Sequence, residues 1–344
     1  MKDLSDKKVY SDIFEAVRTF APNSPLIQLA GPNGRFFCRS NEYQIIDMGD
    51  HLAAFPGFAT QLFRGENRIY DTSKASIYRS GDPDDVVVDE LKILEFKNIL
   101  LTFPQVQYAI EDHFKVDFLA LAQHYELNTN LIDVTSAPEI AAYFATHRWV
   151  DGVAVPVEDG IGCIRGLVPL ALYDPEHLAD SKFHMIGLQC FERPGRQAAY
   201  GIEMNENDDL QHQGWCVYFR QTAKASRLIH TNFHINQEKL EKIRAEGVSR
   251  VVDPSEIEDV HSWLFPKEEI ADIARCVKKS RKISRVAVDE YGRSCNEALE
   301  RKGVEVVEDP VFRLSPARII ELQEQYKGRP YGDVSLRAHL TLRK

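Results

Sequence analysis

Between Asn130 and His147 the hydrophobic period of the chain changes over, and this restricts the possible folds more than any other segment. Leu131 to Val134 form a short apolar run of strand character with Asp133 embedded in it. Beyond Ser136 the apolar residues move to helical spacing, with Ile140, Tyr143, Phe144 and His147 on one face. Ser136 followed three residues later by Glu139 predicts a capping box, and Pro138 suits the first turn because its missing N–H has no intrahelical partner there. A strand that runs straight into a helix calls for helices laid against a sheet. It also puts Asp133, Thr135 and Ser136 at a strand-to-helix junction, where side chains and backbone donors meet an anion or polar ligand.

The rest of the chain supplies both element types. Ile13 to Phe20 reads as an amphipathic helix, and Leu91, Leu94, Phe96 and Ile99 give helical spacing within Asp82 to Phe103. In FLALAQHYE the residues Phe118, Leu121, Ala122 and Tyr125 fall at i, i+3, i+4 and i+7. QLFRG reads as a strand leading into a turn at Gly65, and strands are expected in GVAVPV, IGCIRGLVPLAL, RPGRQAAYGIEM and GWCVYFRQ. Further helices are expected over Asn236 to Ala245 and within LFPKEEIADIARCVKK, where Ile270, Ile273 and Ala274 share a face. The expected fold is α+β, a mixed, partly antiparallel sheet flanked by helices. The expected organisation is an N-terminal flank over 1–55, a main body over 56–279 and a charged helical appendage over 280–344.

Charge narrows the partners. With 42 Lys and Arg against 52 Asp and Glu the chain carries −10, which disfavours a nucleic-acid partner unless a local patch reverses the sign. The six cysteines include no CxxC pair, so no metal site is expected. The N-terminus lacks an apolar core and no apolar stretch approaches bilayer length, so a cytoplasmic protein without a membrane partner is expected. The basic run Arg275, Lys278, Lys279, Arg281 and Lys282 closes a helix, where it meets the C-terminal end of the helix dipole as a solvated face.

Four separated segments carry a family likeness. Phe63-Arg64-Gly65, the run from Leu121-Ala122-Gln123-His124-Tyr125 through Leu131 to Ser136 and on to Ala145, the pattern Arg193 to Gln197, and Leu264-Phe265-Pro266 together resemble the FRG domain, named after its Phe-Arg-Gly signature. The spread of that family implies a prokaryotic or phage setting of conflict or stress response. At the level of pattern, the order of an Arg on an early strand, hydroxyls at a strand-to-helix junction and a later polar strand residue is similar to the ADP-ribosyltransferases. That second likeness implies a split sheet and NAD as the ligand, consumed as substrate by ADP-ribosyl transfer or hydrolysis. It places Arg64 on phosphate with Gly65 and Arg193 nearby, and Thr135 and Asp133 at the ribose–nicotinamide end beside Ser136. Gln197 or Glu203 would lie near the scissile bond, with His124 and Tyr125 supporting.

The chemistry suits these residue types. Breaking the nicotinamide–ribose bond develops positive charge on the sugar, which a carboxylate stabilises, and the Arg fork grips two phosphates where Lys does not. Gln197 carries no charge, so the carboxylate comes from Glu203, Asp133 or Glu66, or the site binds without turnover. Structural roles stand beside these. Arg64 can tie strand ends, Asp133 can cap a turn, and Ser136 with Glu139 can serve only the helix start. The rival readings are a non-catalytic nucleotide- or protein-binding module, and a metal-dependent hydrolase or nuclease using Asp133, His124 and Glu126. The acceptor substrate is left open.

Overall fold

A computed structural model describes residues 6–30, 42–47, 52–55, 61–150, 152–168, 183–235, 262–327 and 335–341. In chain order the strands are β1 (Val9–Tyr10), β2 (Glu42–Asp47), β3 (Leu52–Phe55), β4 (Leu62–Glu66), β5 (Leu131–Thr135), β6 (His147–Val150), β7 (Val153–Pro156), β8 (Ile161–Leu167), β9 (Phe183–Met185), β10 (Ala199–Glu203), β11 (Trp215–Arg220), β12 (Lys282–Ser284), β13 (Glu305–Val307) and β14 (Ser335–Thr341). The helices are α1 (Ile13–Phe20), α2 (Pro25–Leu29), α3 (Pro83–Leu100), α4 (Pro104–Glu111), α5 (Phe118–His124), α6 (Pro138–Thr146), α7 (Glu192–Arg196), α8 (Ala223–His234), α9 (Glu269–Lys279), α10 (Arg285–Tyr291), α11 (Asn296–Lys302) and α12 (Pro316–Tyr326). Several begin where a short polar side chain accepts a backbone N–H of the first turn: Asp12, Asp82, Asp117, Thr222, Ser284 and Ser315.

The main sheet runs β1-β11-β8-β4-β5-β10-β9. Only β1 and β11 pair in parallel; every other neighbour in it is antiparallel, which gives the expected mixed sheet with helices against it. The ladder thins at its middle, where β4 and β5 share a single rung, Phe63 opposite Thr135. One face packs on α1, α6 and α8 through Phe14, Val17, Phe63, Ile140, Tyr143 and Phe233. On the other face Ile132 and Val134 meet Leu62, Tyr200 and Ile202. No helix among the described residues is long and apolar enough to cross a membrane.

Three local expectations need correction. Gly65 lies inside β4 rather than in a turn. A Cβ built there would stand 1.8 Å from the Ala141 carbonyl oxygen and 2.7 Å from the Ala145 nitrogen, so the glycine lets α6 seat directly on the strand. The capping box does not form, because the N-cap of α6 is Ala137, with no side-chain cap. Instead the Thr135 hydroxyl accepts the Ala137 N–H, and Glu139 accepts the Ser24 hydroxyl, while Pro138 sits in the first turn as expected. His147 belongs to β6, since α6 ends at Thr146. The helix expected over Asn236 to Ala245 lies outside the described residues, as does Cys38.

Described residues between 283 and 311 pack on the body. Ile283, Ala287 and Leu299 share a cluster with Val88 and Leu91 of α3, and the buried Glu95 carboxylate accepts the Ser284 and Val311 N–H groups. Substituting Gly65 with Ala should cost about 3 kcal/mol or more by overpacking against fixed backbone. Gly201→Ala, whose Cβ would meet only contacts of 3.4 Å and longer, should be near neutral. Urea denaturation of the two variants checks the contrast.

Candidate functional site

The period of β5 points Asp133 and Thr135 to the face opposite Ile132 and Val134. Because β4 and β5 pair at one rung only, a cavity of about 200 Å³ opens between them, roofed by α5 and α6. Arg64, Gly65, His124, Asp133, Thr135 and Gln197 line it, together with Phe63 and Phe144. Four of the five residues expected at the chemistry therefore converge. The exception is Glu203, which lies outside the lining and accepts the Asn130 side-chain amide.

Arg64 bridges the opening. Its Nη1 donates to the Asp133 carbonyl at 2.8 Å, and its Nε lies 3.5 Å from Glu66 Oε1. Glu66 is buried and also accepts the Ser73 hydroxyl at 2.8 Å and Arg165 Nε at 3.2 Å. Burial alone would raise the Glu66 carboxyl, but the Arg64 and Arg165 guanidiniums and the Ser73 hydroxyl outweigh it and hold it below the usual range. Glu66 is thus committed to positioning the two arginines.

Asp133 and His124 carry the unspent polar atoms. One Asp133 oxygen accepts Gln123 Nε2 at 2.8 Å; the other, Oδ1, is buried without a hydrogen-bond partner. It lies 3.6 Å from His124 Nε2, which is equally buried and equally without a partner. Two such atoms cost free energy unless a ligand or water satisfies them. Burial pushes the His124 imidazole below its usual pKa, with the Asp133 charge opposing, so the ring is neutral at neutral pH. Its backbone carbonyl is held by Arg193 Nη1.

The other expected residues serve the frame. The Thr135 hydroxyl donates to the Gln197 carbonyl at 2.8 Å and accepts the Ala137 N–H. Ser136 lies outside the cavity lining. The Tyr125 hydroxyl donates to Glu268 at 2.6 Å, and its ring packs against the Arg193 guanidinium, which also covers Phe265. Glu126 pairs with Arg193 at 3.6 Å and not with the Asp133–His124 pair. Among the described residues no group of three or more His, Cys, Asp or Glu side chains is disposed to hold a metal ion.

On the outer side of Arg64 a second cleft of about 800 Å³ shares Arg64, Gly65 and Phe144 with the inner cavity. The loop after β4 brings Arg68, Lys74 and Arg79 to it, with Tyr70 and Tyr78; the end of α6 and β6 bring Phe144, His147 and Trp149. Among the described residues its only carboxylate is the spent Glu66. His147 adds no charge, because burial pushes it down to about 3 despite its contact with the Tyr143 carbonyl. Sequence reasoning missed Arg79 and Trp149, which sit outside any periodic pattern. Arg165 left a signal, a charged residue inside the apolar run IGCIRGL.

No curated protein and no solved structure matches the chain. Residues 59–151 match the model of the FRG domain, the segment that supplies Arg64, Gly65, His124, Asp133 and Thr135 to the cavity. The chain thus carries an FRG domain, with the Arg and Gly of its signature forming the wall between two cavities.

Proposed function

We propose that this FRG domain binds NAD and cleaves its nicotinamide–ribose bond, passing ADP-ribose to an acceptor or to water. The observation that carries the reading is the unpartnered Asp133 Oδ1 beside His124 Nε2, at the foot of Arg64. The thinned ladder between β4 and β5 supports the likeness to a split ADP-ribosyltransferase sheet.

In this reading Arg64 holds phosphate at the mouth of the inner cavity and the ribose–nicotinamide end enters it. As the C–N bond breaks, its electron pair leaves with nicotinamide, and Asp133 Oδ1 faces the positive charge developing on the sugar. Gln197, whose side chain donates to the Leu264 carbonyl, lines the cavity together with His124. The incoming O–H forms the new bond to the ribose carbon, and its proton passes to His124 Nε2 and on to solvent. Gln197 carries no charge to set against the developing cation. The same lack of charge favours the second reading, a binding module without turnover.

Nicotinamide release by the purified full chain tests the proposal. Asp133→Asn should lower kcat by about 10²–10³-fold with the melting temperature kept. No release from the unaltered protein, with NAD still bound, leaves the binding module. The rate should also fall on the acid side. Because burial lowers the His124 pKa, the neutral base persists below pH 6.5 and the acid limb should lie lower than an exposed histidine would put it. His124→Gln should abolish that limb in a pH–rate profile.

A further inference from the structure

The outer cleft inverts the charge of the protein. A chain of net charge −10 gathers Arg64, Arg68, Lys74 and Arg79 around one concavity, against a single carboxylate among the described residues, which already serves Arg64, Arg165 and Ser73. Among the described residues neither Arg68 nor Arg79 forms an ion pair; Arg68 lies over the Tyr70 ring, and Arg79 Nε donates to the Lys74 carbonyl. Burial first, and then the nearby Arg64 charge, destabilise the charged form of Arg79. An anion between the two guanidiniums relieves that repulsion.

Two kinds of segment line the cleft. β4 and the loop after it supply the cations together with Tyr70 and Tyr78, whereas the end of α6 and β6 supply Phe144 and Trp149, whose rings stack with centroids 5.7 Å apart. Phe265 closes edge-on against Trp149 at 5.2 Å, which fixes the indole, yet Trp149 remains 37% exposed. A large aromatic held rigid and left partly bare beside a cationic wall suits a planar base attached to phosphate. The volume of about 800 Å³ lies within the roughly 300–1,000 Å³ of small-ligand sites.

We infer that the outer cleft is a nucleoside-diphosphate site, with the base against Trp149 and the phosphates between Arg79 and Arg64. The inference rests on the reading above only in taking Arg64 as a phosphate ligand; it adds the base platform and the second phosphate ligand.

Calorimetric titration of the full chain with ADP, beside inorganic pyrophosphate, tests it separately from nicotinamide release. ADP should bind more tightly than pyrophosphate. Trp149→Ala should weaken ADP by about ten-fold and leave pyrophosphate unchanged, the loss expected of one base stack. Arg79→Ala should weaken both, and Arg79→Lys should recover part of the loss, with thermal melting confirming each fold. Equal binding of ADP and pyrophosphate, or a Trp149→Ala variant that binds ADP like the parent, overturns the base platform. Absence of ADP binding overturns the site, even if nicotinamide is released. ADP binding without nicotinamide release upholds the site and removes the proposed reaction.

Discussion

The seating of α6 on β4 is the contact on which the rest of the site depends. A helix carrying side chains packs on a sheet at a distance set by those side chains, whereas here backbone meets backbone because Gly65 has none. That approach puts Phe144 against the strand, so the same residue lines both cavities. It also leaves Arg64 at the edge of the contact, with its guanidinium directed across the opening to the Asp133 carbonyl. Phe, Arg and Gly of the signature thus do three different things: Phe63 fills the core, Arg64 spans the gap, and Gly65 makes room for the helix.

Electrostatics is layered outward from Glu66. This buried carboxylate accepts from Arg165 and Ser73 and lies beside the Arg64 guanidinium, so it anchors cations while offering little to a ligand. Because Arg165 shares the burden, Arg64 retains donors for a second partner. The inner cavity has the opposite character, with a half-satisfied carboxylate, a neutral imidazole and few charges. A cationic antechamber thus opens on a small, weakly charged interior, a division suited to a ligand with a charged middle and a neutral end.

Much of this was legible in the residues because the decisive segments are periodic. The changeover after Asp133 located the strand and helix correctly, and the convergence of Arg64, His124, Asp133, Thr135 and Gln197 followed from where those segments begin and end. The failures are of two physical kinds. Side-chain capping at Ser136 and a turn at Gly65 were local readings that tertiary contacts overrode: Glu139 found Ser24, and Gly65 served close packing. Arg79 and Trp149 lie on irregular or hairpin segments, where spacing says nothing of direction. Ser136 and Glu203 carry suitable chemistry but lie outside the cavity lining, Glu203 accepting from Asn130.

The single rung between β4 and β5 has a mechanical consequence. On one side β4 is zipped to β8 from Leu62 to Glu66, and on the other β5 is zipped to β10 along its whole length. The sheet is therefore two stiff ribbons joined at Phe63 and Thr135, with the Arg64–Asp133 bond as an external strap. Prising the ribbons apart strains one rung, one side-chain bond and the packing of α6 on β4, whereas bending either ribbon would break a continuous ladder. The seam between them is the thinnest ladder of the sheet, and the inner cavity lies along it.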